Sequence, residues 1–138
     1  MEYLFVYGSL RPGWRRTQTI PGAATMRRTL RLRARHLGPA TLQGTLVDLG
    51  RYPGLILSDD SRHRVCGDLY RLSDTALLSH LDAYEGCAPG DPLPHEYRRV
   101  QTQAQPEQGP AVRVWVYEYL PGRRKVPLIP GGDWLQSQ

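Results

Sequence analysis

A chain of 138 residues is long enough for one domain with its own core and short for two, so residues 1–138 are read as a single domain. With 40% apolar and 22% charged residues it is no disordered polyelectrolyte, and its two cysteines, Cys66 and Cys87, do not make a disulfide framework. No apolar run approaches the ~18–20 residues that a bilayer span needs, and the first residues lack the positive segment of a signal peptide, so a soluble, cytoplasmic protein is expected.

The net charge of +5 comes from 18 basic residues, all Arg except Lys125. Guanidinium groups suit an anionic partner, but codon usage alone produces the same bias. Five of them fall between Arg27 and Arg35, the one basic cluster. The 14 Gly and 12 Pro point to tight turns and short strands rather than a helical bundle.

Residues 2–7 alternate Tyr3, Phe5 and Tyr7 with Leu4 and Val6, apolar on both sides. This predicts a central strand buried on both faces, stopping at Gly8. Residues 9–13 read as a loop. Met26, Leu30, Ala34 and Leu37 recur at helical spacing and predict an amphipathic helix over 23–37, ended by Gly38-Pro39. A strand over 40–49 follows, then a turn at Tyr52-Pro53-Gly54, a short strand over 55–57 and another over 65–72. Ser73 is placed as the cap of a helix with Asp74 in its first turn and Leu77, Leu78, Leu81 and Tyr84 on its buried side. Gly86 fits the left-handed position that follows a helix. A Pro-rich loop covers 88–95, strands are expected near 96–103 and 111–119, and the tail over 129–134 reads as irregular. About six short strands and two helices, without a regular βαβ rhythm, predict an α+β fold. It is expected to be a small mixed β-barrel with flanking helices.

No zinc spacing, no P-loop and no Gly-x-Gly-x-x-Gly occurs, so neither a metal nor a nucleotide cofactor is expected. His36, His63, His80 and His95 lie in polar stretches and read as solvated. Two features could carry chemistry. At Tyr7-Gly8-Ser9-Leu10 a buried strand runs into a glycine, where backbone can approach a ligand and successive N–H groups can converge on an oxyanion; the alternative is a simple turn. Ser9 as a nucleophile lacks an accompanying His–acid pattern. At Leu81-Asp82-Ala83-Tyr84-Glu85-Gly86, Asp82 and Glu85 share one side of a helix. Glu85 sits in the last turn, where the negative dipole end and burial would raise its pKa; the alternative is a solvent-facing Glu at a frayed end.

In this order, these segments resemble the gamma-glutamylcyclotransferase-like (AIG2-like) superfamily. The resemblance runs over 6–134 through Val6-Tyr7-Gly8-Ser9-Leu10-Arg11-Pro12-Gly13, Gly50-Arg51-Tyr52-Pro53-Gly54-Leu55 and Val65-Cys66-Gly67-Asp68-Leu69-Tyr70. It continues through the Glu85 segment, Tyr97-Arg98-Arg99 and Val114-Trp115-Val116-Tyr117-Glu118-Tyr119. The resemblance implies that Tyr7, Gly8, Ser9 and Leu10 hold a γ-glutamyl group and that Glu85 is the acid/base. The implied reaction is attack of the substrate's own α-amine on its γ-carbonyl, releasing 5-oxoproline and an amine. Arg98 and Tyr119 are candidate pocket residues.

Residues 14–37 look longer than in the shortest members, so the Arg-rich helix reads as an added element. A Tyr that some relatives carry after the last long strand has no counterpart in 121–126, where Arg123, Arg124 and Lys125 stand. Leaving-group specificity is expected in loops 11–25 and 88–95. Two alternatives stay open: a non-catalytic domain binding nucleic acid or another anion through Arg27–Arg35, which lacks the aromatic interleaving of single-strand binders, and a Glu85-dependent hydrolase. The expected partner is a small γ-glutamyl compound, without a membrane; the oligomeric state is open.

Overall fold

β1 (Glu2–Val6) is hydrogen-bonded on both sides, antiparallel to β4 (Arg64–Leu72) and parallel to β6 (Val112–Tyr119) in the computed structural model, which describes residues 1–14, 20–122 and 125–137. β4 pairs in turn with the long β2 (Ala34–Asp48), and β6 with β5 (Tyr97–Pro106). Ala40 and Thr41 of β2 meet Pro106 and Gln105 of β5, which closes the ring β2-β4-β1-β6-β5 into a mixed five-stranded barrel. Beyond the closure, β2 continues and takes β3 (Pro53–Leu57) and β7 (Leu128–Ile129) as further neighbours. Helices α1 (Ala23–Arg33) and α2 (Ala76–Tyr84) complete the fold.

The two apolar faces of β1 serve two cores. Leu4 and Val6 join Met26 and Leu30 of α1 and Leu77, Leu78 and Leu81 of α2. Phe5 and Tyr7 join Leu42, Val65, Val116 and Trp134 in the second cluster. Period-two alternation alone sorts these side chains. Leu81, fully buried, contributes about 1.5–3 kcal/mol by its removal from water.

The strand order confirms the barrel, and β7 adds a seventh strand inside the tail read as irregular. Other boundaries differ. The first helix ends at Arg33, and Ala34 is already extended at φ −138°, ψ 162°. Met26 and Leu30 are buried as predicted, but Ala34 pairs with Leu72 and Leu37 is exposed. Residues 34–37 satisfy a helical spacing and still form strand, because β4 offers them a ladder; tertiary pairing overrides local periodicity. Gly38-Pro39 therefore ends no helix. Gly38 sits at φ +107° beside a register shift, a bulge inside β2.

Pro53 and Gly54, read as turn, open β3. Ser73 does not cap α2: its hydroxyl donates to the Arg33 carbonyl at 2.6 Å, while the Asp74 carboxylate accepts from the Ala76 N–H at 2.8 Å. His36 is not simply solvated, since its ring Nε2 lies 2.9 Å from Asp68 Oδ1.

Candidate functional site

The loop after β1 is fixed from every side. Tyr7 Oη donates to the Tyr117 carbonyl at 2.6 Å and accepts from the Leu55 N–H at 3.3 Å. The Arg11 N–H donates to the Gly8 carbonyl at 3.0 Å and closes the turn. Arg11 is itself clamped, 2.8 Å from Asp68 and 3.1 Å from Asp133. A Cβ on Gly8 would stand 2.9 Å from Pro53 Cδ, closer than carbon atoms tolerate, so glycine is needed for this approach.

Ser9 is occupied at its hydroxyl and at its carbonyl. Its hydroxyl shares a 2.7 Å hydrogen bond with Tyr84 Oη, and its carbonyl accepts from Arg27 Nη1 at 2.6 Å. The hydroxyl thus faces a phenol rather than a base, which argues against a nucleophile. The backbone N–H groups of Ser9 and Leu10 have no acceptor among the described residues. Successive unsatisfied N–H groups in a turn are the arrangement that can donate to an anion or an oxyanion.

The opposite wall is the end of α2. Glu85 is the C-cap of α2, the residue just after its last helical position Tyr84; its N–H donates to the Leu81 carbonyl at 2.9 Å, and Gly86 turns the chain away at φ +73° as the sequence predicts. One turn earlier, Asp82 is locked to the barrel. Arg99 donates to both its oxygens at 2.7 and 3.2 Å, and Tyr117 Oη donates to it at 2.7 Å. Arg99 in turn lies 4.4 Å from the centre of the Trp115 ring. This network holds the helix end against β5 and β6.

Glu85 has no such partner among the described residues. Burial pushes its carboxyl up from 4.5 to about 8, with the charges of Glu96 and Asp82 adding to the effect. The direction and the part played by burial are those read from the sequence; the neighbouring carboxylates of Glu96 and Asp82 add the rest. The phenols of Tyr7, Tyr97 and Tyr117 are likewise pushed up by burial, with the Glu85 charge contributing to each. A ring of un-ionised hydroxyls therefore surrounds one carboxyl.

Glu85 and the loop face each other across a cavity of about 200 Å³. Tyr7, Gly8, Ser9 and Leu10 line it together with Glu85. Arg98 and Tyr119 do not. Arg98 pairs with Glu118 on the other side of the sheet, at 2.9 Å. Tyr119 is buried behind Tyr97, 6.1 Å away centre to centre. Neighbours on the same strands supply the wall instead: Tyr97, one residue before Arg98, and Tyr117, two residues before Tyr119. Tyr52, Tyr84 and Glu96 also line the cavity and had no signal in spacing beyond their place in aromatic stretches.

Comparison with known proteins decides the family. The model of the family described as gamma-glutamyl cyclotransferase, AIG2-like, matches residues 4–136. The chain belongs to that family. It is 33% identical over 122 residues to the gamma-L-glutamyl-butirosin B gamma-glutamyl cyclotransferase of Niallia circulans, covering 86% of this chain and 67% of that one. It is 31% identical over 133 residues to the gamma-glutamylcyclotransferase family protein YtfP of Escherichia coli K12, covering 96% and 95%. The crystal structure of a mouse AIG2-like protein superposes with a TM-score of 0.71 at 26% identity, over 97% of this chain and 88% of that one. The chain spans about two thirds of the length of two of the curated relatives it matches.

Within this family frame, the Arg cluster is partly structural. Arg27 bonds the Ser9 loop and Arg33 pairs with Asp74 at 3.0 Å. Arg123 and Arg124, noted where some relatives carry a Tyr, lie outside the described residues, as does 15–19 of the first specificity loop. Among the described residues no group of three or more His, Cys, Asp and Glu could hold a metal ion, and no helix is long and apolar enough to cross a membrane.

Proposed function

We propose that the protein is a gamma-glutamylcyclotransferase, releasing 5-oxoproline and an amine from a γ-glutamyl amine or amino acid. The observation that carries this is Glu85, a carboxyl held near pH 8 without a partner, across one cavity from free backbone donors at Ser9 and Leu10.

The free N–H groups orient the γ-glutamyl group and stabilise negative charge developing on the γ-carbonyl oxygen. Both reacting atoms belong to one molecule, so ring closure needs little entropic help. It needs an uncharged amine. An α-ammonium has a pKa near 8, so the Glu85 carboxylate accepts its proton almost without an energy gap. The nitrogen lone pair then forms the bond to the γ-carbon, and the bond from that carbon to the leaving nitrogen breaks. The leaving nitrogen takes its proton from Glu85. The substrate ammonium loses two protons in becoming the lactam N–H, and the departing amine gains two in becoming an ammonium ion, so the reaction balances with one carboxyl as relay.

The test is release of 5-oxoproline from a panel of γ-glutamyl compounds, run beside Glu85→Gln. The variant should fold and lose about 10²–10⁴-fold in turnover, the range of a general acid–base group. Free glutamate as product would instead assign the site to a hydrolase, and unchanged turnover would remove Glu85 from the chemistry.

A further inference from the structure

The basic cluster at 27–35 has one member unlike the rest. Of Arg27, Arg28, Arg31, Arg33 and Arg35, Arg27 alone is half-buried, and the other four are exposed. Met26 and Leu30, buried on the same helix, seat α1 against the core. A Cβ on Gly22, just ahead of that helix, would stand 3.4 Å from the Tyr84 ring, so the start of α1 lies beside the end of α2. From there Arg27 Nη1 donates to the Ser9 carbonyl at 2.6 Å, while Tyr84 Oη shares the Ser9 hydroxyl at 2.7 Å. Among the described residues no carboxylate lies within ion-pair distance of Arg27, so this carbonyl takes its charge undivided. Arg27 does not line the cavity; it stands behind the loop.

That position has a chemical consequence. The Ser9 carbonyl and the Leu10 N–H are the two ends of one planar trans peptide, and they point in opposite directions. A cation on the oxygen draws electron density from the nitrogen and makes the N–H a stronger donor. The neighbouring unit, the Gly8 carbonyl with the Ser9 N–H, is backed only by the neutral Arg11 N–H at 3.0 Å. The two donors that face the cavity are thus unequal, and Leu10 is the stronger.

We propose that Arg27 is a positioning residue: by binding the Ser9 carbonyl from behind, it holds and strengthens the Leu10 N–H as donor to the oxygen on which negative charge develops. The proposal rests on the cyclotransferase reading for the identity of that oxygen. When the substrate nitrogen forms its bond to the γ-carbon, the carbonyl π pair moves onto the oxygen. A polarised N–H is worth more to that charge than to the neutral carbonyl before it, so Arg27 acts on kcat more than on KM.

The test compares Arg27→Met, Arg27→Lys and Arg28→Met in 5-oxoproline release. Arg27→Met should lower kcat by about 5–30-fold, less than the ~10²–10³ of losing a donor outright, with KM within about twofold. Burial, Glu96 and Asp82 are what raise the Glu85 carboxyl, so the pH midpoint of turnover should stay at its wild-type place. Arg27→Lys keeps a cation on a stem of nearly the same length and should fall between wild type and Arg27→Met. Arg28→Met removes the same charge from the exposed face of α1 and should turn over as the wild type does.

Amide resonances read the peptide without turnover. The Leu10 N–H signal should move upfield in Arg27→Met, more than that of Ser9, and move back in Arg27→Lys. Unchanged kcat in Arg27→Met, a loss confined to KM, or Arg27→Lys as slow as Arg27→Met overturns the proposal and keeps the cyclotransferase reading. No 5-oxoproline from the wild type, with the Leu10 signal moving as described, overturns that reading and keeps the strengthened donor. No product and an unmoved Leu10 signal overturn both.

Discussion

Replacing Glu85 by Gln should stabilise the protein in alkali, and the size follows from the structure. In the unfolded chain the carboxyl titrates near 4.5, and in the native cavity near 8. Between these values the native state holds a proton that the unfolded state has released. Wild-type stability therefore falls as pH rises from about 4.5 to about 8 and levels off above. At about 1.36 kcal/mol per pH unit the full interval amounts to about 5 kcal/mol. Water entering through the rim screens part of it, which leaves about 2–5 kcal/mol.

Gln keeps the shape and never ionises. The variant should match the wild type near pH 4, where both carry a neutral group, and exceed it at pH 9 by about 5–15 °C in Tm. Thermal melts of both proteins from pH 4 to 9 measure the difference curve, with a midpoint climb between 5 and 8. The same titration should appear in wild-type turnover, rising with pH through about 8 as the relay becomes a base. A difference curve flat in pH would show that Glu85 ionises as freely in the fold as outside it. The argument for its reluctance to lose a proton would then fail, whatever the activity.

Three further outcomes are expected. Gly8→Ala forces a methyl group to 2.9 Å from Pro53 Cδ, so it should cost about 1–3 kcal/mol in urea unfolding and lower turnover by displacing the Ser9 and Leu10 donors. Asp82→Asn removes one of the charges that raise the Glu85 pKa, so the midpoint of the activity–pH profile should move to lower pH; a profile that keeps its midpoint while activity drops would assign Asp82 a purely structural part. Arg11→Met leaves Asp68 buried and without its closest cation, so it should destabilise by about 3–5 kcal/mol in chemical denaturation, far more than Arg33→Met at the exposed Asp74 pair.

What could be read from the sequence divides along physical lines. Residues whose fate is set by local pattern were legible: the two-sided β1, the buried side of α2, and the glycine after it. The loop at 7–10 and Glu85 stood out because a strand ending in Gly and an acid at a helix C-terminus are unusual choices for stability alone, but spacing left a simple turn and a solvent-facing Glu open, and the family resemblance favoured the site. Partnership across the barrel was not. The stretch 34–37 has a spacing that suits helix or strand, and only the β4 ladder decides it. Arg98 and Tyr119 were plausible by type, but their side chains lie away from the cavity. A shift of one residue turns a strand side chain to the other face, so Arg98 meets Glu118 while its neighbour Tyr97 reaches the site. Glu96 and Tyr52 are 44 positions apart, and nothing in either segment announces that they share a hydrogen bond.

The end of α2 shows why one acid can serve where stability argues against it. A carboxylate there opposes the helix dipole, lies near Asp82 and Glu96 and loses water. The fold accepts this because the helix is held by other means: Leu77, Leu78 and Leu81 are buried beneath it, and Arg99 and Tyr117 grip Asp82 from the barrel. That grip is the reason the strained group cannot relax. If the helix end were free, Glu85 would swing into solvent and recover its ordinary pKa. Fixing Asp82 to β5 and β6 holds the helix end beside the cavity, so the ion pair that looks structural also sets the surroundings of the carboxyl one turn away.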